Sequence, residues 1–134
     1  MLCPGSFLIL AMTVAHPAAD GDTAATAIAI TSLPFTAFGN TSALNDDYDE
    51  SCPYYGPGAP DVVYSFTPAT SVVVDIDLCN SAYDTKVYVY AGTPPPPGSG
   101  QTGLAIACND DSGCGPNGWA SHVDRKSTRL NSSH

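Results

Sequence analysis

Three groups of acidic residues and one set of cysteines carry whatever chemistry this chain could perform. Asn45-Asp46-Asp47-Tyr48-Asp49-Glu50, then Asp84, then Asn109-Asp110-Asp111 all fall among turn-forming residues. Calcium is a hard cation that takes roughly six to eight oxygens from carboxylates, amides and carbonyls, so such segments could hold it. The competing reading is that turns select Asp and Asn because those side chains bond the local backbone. Asp46-Asp47-Tyr48-Asp49 lacks the glycine and terminal glutamate of an EF-hand loop.

Cys52, Cys79, Cys108 and Cys114 form an even set once Cys3, at the extreme N-terminus, is set aside. In a small exported chain disulfides are the default. A zinc site would prefer close Cys-x-x-Cys pairs or histidine ligands, and neither occurs. The turn-rich Asn109-Asp110-Asp111-Ser112-Gly113 can fold back on itself. That predicts a Cys108–Cys114 bridge and leaves Cys52–Cys79, a closure worth roughly 3 kcal/mol in the chain-entropy model.

Catalytic signals are weak. His16 lies in an N-terminal apolar segment and His134 in an anomalous C-terminal tail, which leaves His122. No Gly-x-Ser-x-Gly elbow, phosphate loop or His-Glu-x-x-His motif occurs. Clustered loop acids give no sign of two carboxyls held across a glycosidic bond. Trp119 and the tyrosines could line a sugar platform, but packing within a sheet is the commoner role for such residues. The expectation is a protein that is not an enzyme.

The elements that must carry these residues read as strands. Val62, Tyr64 and Phe66 recur at period two, and Val72, Val74, Ile76 and Leu78 alternate with Asp75 and Asp77 on the opposite face. A short turn at Pro68-Ala69-Thr70 predicts an antiparallel hairpin between these two runs. Thr85–Ala91 repeats the alternation with β-branched and aromatic residues, and Gly103–Cys108 is a shorter candidate. Thr26–Thr31, Pro34–Thr41 and Trp119–Val123 are weaker ones. Strands every 10 to 15 residues between Gly, Pro, Asn and Asp clusters predict an all-β fold, an antiparallel β-sandwich or jelly roll. Thr93-Pro94-Pro95-Pro96-Pro97-Gly98-Ser99-Gly100 reads as a long surface loop.

Both ends stand apart. Phe7–Ala15 is an apolar run followed by small residues, so residues 1–19 are expected to be a secretory signal peptide, although no Lys or Arg precedes it. Residues 124–134, Asp-Arg-Lys-Ser-Thr-Arg-Leu-Asn-Ser-Ser-His, resemble a translated short-read sequencing adapter and hold three of the four basic residues. The expected domain is therefore 20–123, cut short at its C-terminus and followed by a non-native tail. With 13 acids against 4 bases and a formal charge of −9, the chain is unsuited to nucleic acid or an anionic membrane surface. No apolar run reaches the roughly 20 residues of a membrane-spanning helix.

Tyr83-Asp84-Thr85-Lys86-Val87-Tyr88-Val89-Tyr90, followed after a loop by Leu104-Ala105-Ile106-Ala107-Cys108-Asn109-Asp110-Asp111, resembles the bacterial pre-peptidase C-terminal domain family. Asp61-Val62-Val63-Tyr64-Ser65-Phe66-Thr67-Pro68 is similar to a strand of its cysteine-bearing secreted members. The likeness covers residues 61–123. It implies a β-sandwich accessory module of an exported bacterial protein, often beside a peptidase. It also implies Asp84, Asn109, Asp110 and Asp111 as calcium ligands. The family continues with further strands that are missing here, in keeping with a truncated domain. The function expected is a non-catalytic secreted domain that binds an extracellular polymer or positions an adjoining enzyme domain. A structural cell-surface or adhesion module and a fragment of an extracellular hydrolase are the alternatives.

Overall fold

The structure, a computed structural model, describes residues 20–126. The expected signal peptide, Cys3 and residues 127–134 of the expected tail lie outside the described residues. Among the described residues six short strands make up the sheet structure: β1 (Ile28–Ile30), β2 (Tyr64–Phe66), β3 (Val73–Asp77), β4 (Val87–Val89), β5 (Ala107–Asn109) and β6 (His122–Lys126). A single 3-10 turn at Ala24–Thr26 is the one helical element among the described residues. The fold is all-β, and no described helix is long and apolar enough to cross a membrane.

β3 follows its sequence closely. Val72, Val74, Ile76 and Leu78 are half-buried while Ser71, Val73, Asp75 and Asp77 are exposed, as a period-two pattern with one wet face requires. Its partner differs from expectation. β3 pairs antiparallel with β6, with Ile76 opposite Val123, rather than forming a hairpin with β2. β2 instead pairs in parallel with β1, Ile28 opposite Tyr64. A turn can offer a hairpin, but distant strands with matching apolar faces can compete for the same edge. β4 and β5 form the third pair, antiparallel, with Tyr88 opposite Cys108.

β6 takes in Asp124, Arg125 and Lys126, three residues past the expected domain boundary at Val123. Ladder hydrogen bonds use only backbone groups, so a strand can extend through any non-proline residues. Pro34–Thr41 forms no strand. It is an exposed loop, with Phe38 94% accessible.

The interior is unusually polar. Tyr48, Ala120 and Val123 are buried beside Asp22, Glu50, Asp110 and Ser121. Buried polar groups persist only when hydrogen-bonded, and most of these acids are spent on loop backbone. Asp22 accepts from the Asn45 N–H at 2.7 Å and from its amide at 2.9 Å. One oxygen of Asp61 accepts from the N–H groups of Asp47 and Tyr48, both at 2.7 Å. Asp46 accepts from Gly58 N–H at 2.7 Å. Glu50, fully buried, accepts from three successive N–H groups: Gly103 at 2.5 Å, Leu104 at 3.2 Å and Ala105 at 3.0 Å. For segment 45–50 the structure favours the turn-and-loop reading over the metal reading.

Candidate functional site

Asp84 precedes β4, and Asp110 and Asp111 follow β5, so the antiparallel register brings all three to one end of that strand pair. One carboxylate oxygen from each lies within 4.8 Å of the others. Asp110 is buried, while Asp84 and Asp111 are exposed. Ser121 fixes the backbone beneath them. Its fully buried hydroxyl lies 2.5 Å from the carbonyls of both Thr85 and Asp110, and its N–H donates to the Thr85 hydroxyl at 2.8 Å. A hydroxyl has one proton, so it donates to one of these carbonyls at a time. Either way it ties the start of β4 to the end of β5.

Burial first, then the charges of Asp110 and Asp111, raise the pKa of Asp84 above the ordinary carboxylate value. The Asp110 carboxylate pushes the Tyr54 phenol upward. On its other side, the Lys86 ammonium sits 4.3 Å from the Tyr54 ring centroid and 5.4 Å from that of Tyr88, and donates to the Tyr54 carbonyl. Burial pushes the Tyr88 hydroxyl up to about 12.

Asn109, the fourth residue implied by the family resemblance, lies next to Asp110 in the chain. It ends β5, where its side-chain oxygen accepts the His122 N–H at 3.2 Å. His122 itself reaches across the sheet, with Nε2 2.5 Å from an Asp75 carboxylate oxygen, and both side chains are exposed.

The disulfide pairing also departs from expectation. Cys52 pairs with Cys108, and Cys79 with Cys114. Segment 109–113 does fold back, but it returns Cys114 toward Ala120, whose N–H donates to the Cys114 carbonyl at 3.2 Å. That places Cys114 against the residue following Leu78, whose N–H donates to the Ser121 carbonyl at 3.0 Å. Asp77 approaches the Cys79–Cys114 sulfurs, but sulfurs joined to each other offer no thiolate to a metal.

Beside the carboxylates is a shallow, open depression of about 10 Å³, room for about one water molecule, bounded by Ser81, Tyr83, Asp84, Gly115, Asn117 and Trp119. Trp119 is 55% and Tyr83 51% exposed, so neither is the packing residue expected of it. Sequence reasoning also missed Ser121 and Glu50. A lone serine carries no periodicity signal, and Glu50 appeared only as the last member of the first acidic group, with nothing to mark it as buried. No protein-family model, no curated protein and no solved structure matches the chain.

Proposed function

We propose that the chain is a non-catalytic, secreted accessory β-domain that binds or positions material outside the cell, with calcium held at Asp84, Asp110 and Asp111. In this reading it is a sandwich-like module similar to the pre-peptidase C-terminal domains, carried by an extracellular bacterial protein. The observation that carries the proposal is the convergence of three carboxylates within 4.8 Å. Calcium–oxygen distances of 2.3–2.6 Å allow ligand oxygens to lie up to about 5 Å apart across the ion, so the cluster fits inside one coordination sphere. Burial and then the charges of Asp110 and Asp111 raise Asp84, and a divalent ion would relieve the second of these. Two disulfides support an oxidising compartment.

The test is a thermal melt of the full chain in calcium chloride and in chelator. At a calcium concentration about a hundredfold above Kd the native state gains about 2.7 kcal/mol. The midpoint should rise with calcium in the native sequence and stay fixed in D84N/D111N. An identical midpoint in calcium and chelator refutes the metal.

A further inference from the structure

We propose that Asn40 is the acceptor of an N-linked oligosaccharide, added as the chain is exported. The inference goes beyond the reading above: it needs only the exported route and is independent of calcium and of any bound polymer. Asn40-Thr41-Ser42 has the Asn-x-Ser/Thr pattern of such acceptors, with no proline at its centre. Among the described asparagines Asn40 alone has a hydroxyl residue two places on. Asn45, Asn80, Asn109 and Asn117 are followed there by Asp47, Ala82, Asp111 and Trp119.

A three-residue match arises easily by chance, so the local geometry decides. Asn40 lies in the exposed loop that follows Pro34, and Gly39, Ser42 and Ala43 around it are exposed as well. A Cβ added at Gly39 would meet no atom within 4 Å, so the space beside Asn40 is open to an enzyme and to its product. The Asn40 Oδ1 accepts the Ser42 N–H at 3.1 Å and the Ser42 hydroxyl at 2.5 Å. The first of these bonds is an Asx turn, which Asn and Asp both form and which asks nothing of the side chain at 42. The second requires a hydroxyl at that position. The Leu44 N–H donates to the Thr41 carbonyl at 2.9 Å, which closes the turn and holds Ser42 against Asn40. Both bonds to the amide fall on Oδ1, which leaves Nδ2 for reaction.

The co-reactant is an oligosaccharide carried on a lipid diphosphate. Nδ2 gives up one proton to a base of the transferase and bonds to the anomeric carbon. The bond from that carbon to the phosphate oxygen breaks, and the lipid diphosphate leaves with the electron pair, so nothing is oxidised or reduced. The sugar would stand two residues from Phe38, 94% exposed, on a stretch from Thr23 to Asn45 that holds no charged side chain. A formal charge of −9 keeps copies of the chain apart elsewhere. On this uncharged stretch a bulky, solubilising glycan serves instead.

The tail holds a second match, Asn131-Ser132-Ser133, so Asn131→Gln is present throughout the test. The full chain is directed by a host signal sequence through a eukaryotic secretory route that carries the transferase. It is then treated in heavy-oxygen water with the amidase that releases N-glycans, which turns a glycan-bearing asparagine into labelled aspartate. Peptide mass spectrometry should find the label at Asn40, lose it in Ser42→Ala and keep it in Ser42→Thr. Melting midpoints should be the same before and after glycan release. They should also be unchanged in Asn40→Asp, which keeps the Asx turn and cannot take the sugar. An unlabelled Asn40 in the secreted chain overturns the inference, and so does a label that Ser42→Ala leaves in place. A midpoint that rises when the glycan is removed overturns the exposed placement on which it rests.

Discussion

Replacing Glu50 with glutamine tests whether the first acidic segment is structural. Three backbone N–H groups converge on two carboxylate oxygens, Gly103 on one and Leu104 and Ala105 on the other. An amide keeps only one acceptor oxygen. If that oxygen faces Leu104 and Ala105, the new NH2 group opposes the Gly103 N–H. In the reverse orientation two bonds are lost. A hydrogen bond to a charged group contributes roughly 1.5–3 kcal/mol, and the surviving bonds lose their charge assistance. Two effects reduce the cost: Gly103 and Leu104 are exposed, so freed N–H groups can reach water, and the amide avoids burying a charge. The expected loss is about 2 kcal/mol, a fall of about 8 °C in melting midpoint for a domain of this size. Thermal melts of the oxidised full chain at neutral pH, in calcium and in chelator, measure it. The fall should be equal in both buffers. A midpoint within about 2 °C of the native one would refute the structural role, and a fall confined to calcium would make Glu50 part of a metal site.

Asp61 should behave in the opposite way. Burial outweighs its two backbone hydrogen bonds and raises its pKa from 3.8 to about 6. The folded state then holds the proton more tightly than the unfolded one, so stability is greatest below the unfolded pKa and declines as pH rises through about 6. The full shift corresponds to about 3 kcal/mol, reduced to about 1–2 kcal/mol because the group is only half-buried. Both N–H bonds fall on one oxygen, which an asparagine can reproduce. D61N should therefore be about 1–2 kcal/mol more stable than the native chain at pH 7 and equal to it near pH 4, as read by urea melts. Parallel pH profiles for the two would refute this. Disulfide pairing is checked by non-reducing mass spectrometry after cleavage before aspartate, which places the four cysteines on separate fragments. Linked fragments bearing Cys52 with Cys108 and Cys79 with Cys114 are expected, and a Cys108–Cys114 link would contradict the fold.

What the sequence made legible was local. The alternation of Val72, Val74, Ile76 and Leu78 against Asp75 and Asp77 is a property of one strand, and the burial pattern reproduces it residue by residue. Strand partners are not local. β3 lies closer in sequence to β2 but pairs with β6, and nothing in the period-two pattern of β3 distinguishes the two. The same separation hid the disulfides, because proximity along the chain favours Cys108 with Cys114. Asp84, Asp110 and Asp111 are brought together by the register of β4 and β5, and Asn109, the last residue of β5, accepts the His122 N–H. The fates of Glu50 and Trp119 depend on what surrounds them, on loop 103–105 in one case and a shallow depression in the other, and neither neighbourhood is written in their own spacing.

The two disulfides acquire a common purpose when their positions are compared with the acidic turn. Cys108 and Cys114 bracket Asn109-Asp110-Asp111, and each is tied outward, to partners 56 and 35 residues away. In the chain-entropy model closures of that size contribute about 4 kcal/mol each, against about 2 kcal/mol for a local loop between Cys108 and Cys114. A local bridge would tighten the turn but leave it free to move as a unit. Outward bridges fix both of its ends, one to the segment carrying Tyr54 beside Asp110 and the other to the segment following β3. With few apolar side chains buried, such anchoring has to do what a larger core does elsewhere. It holds three carboxylates together where burial, and then the charges of Asp110 and Asp111, raise Asp84.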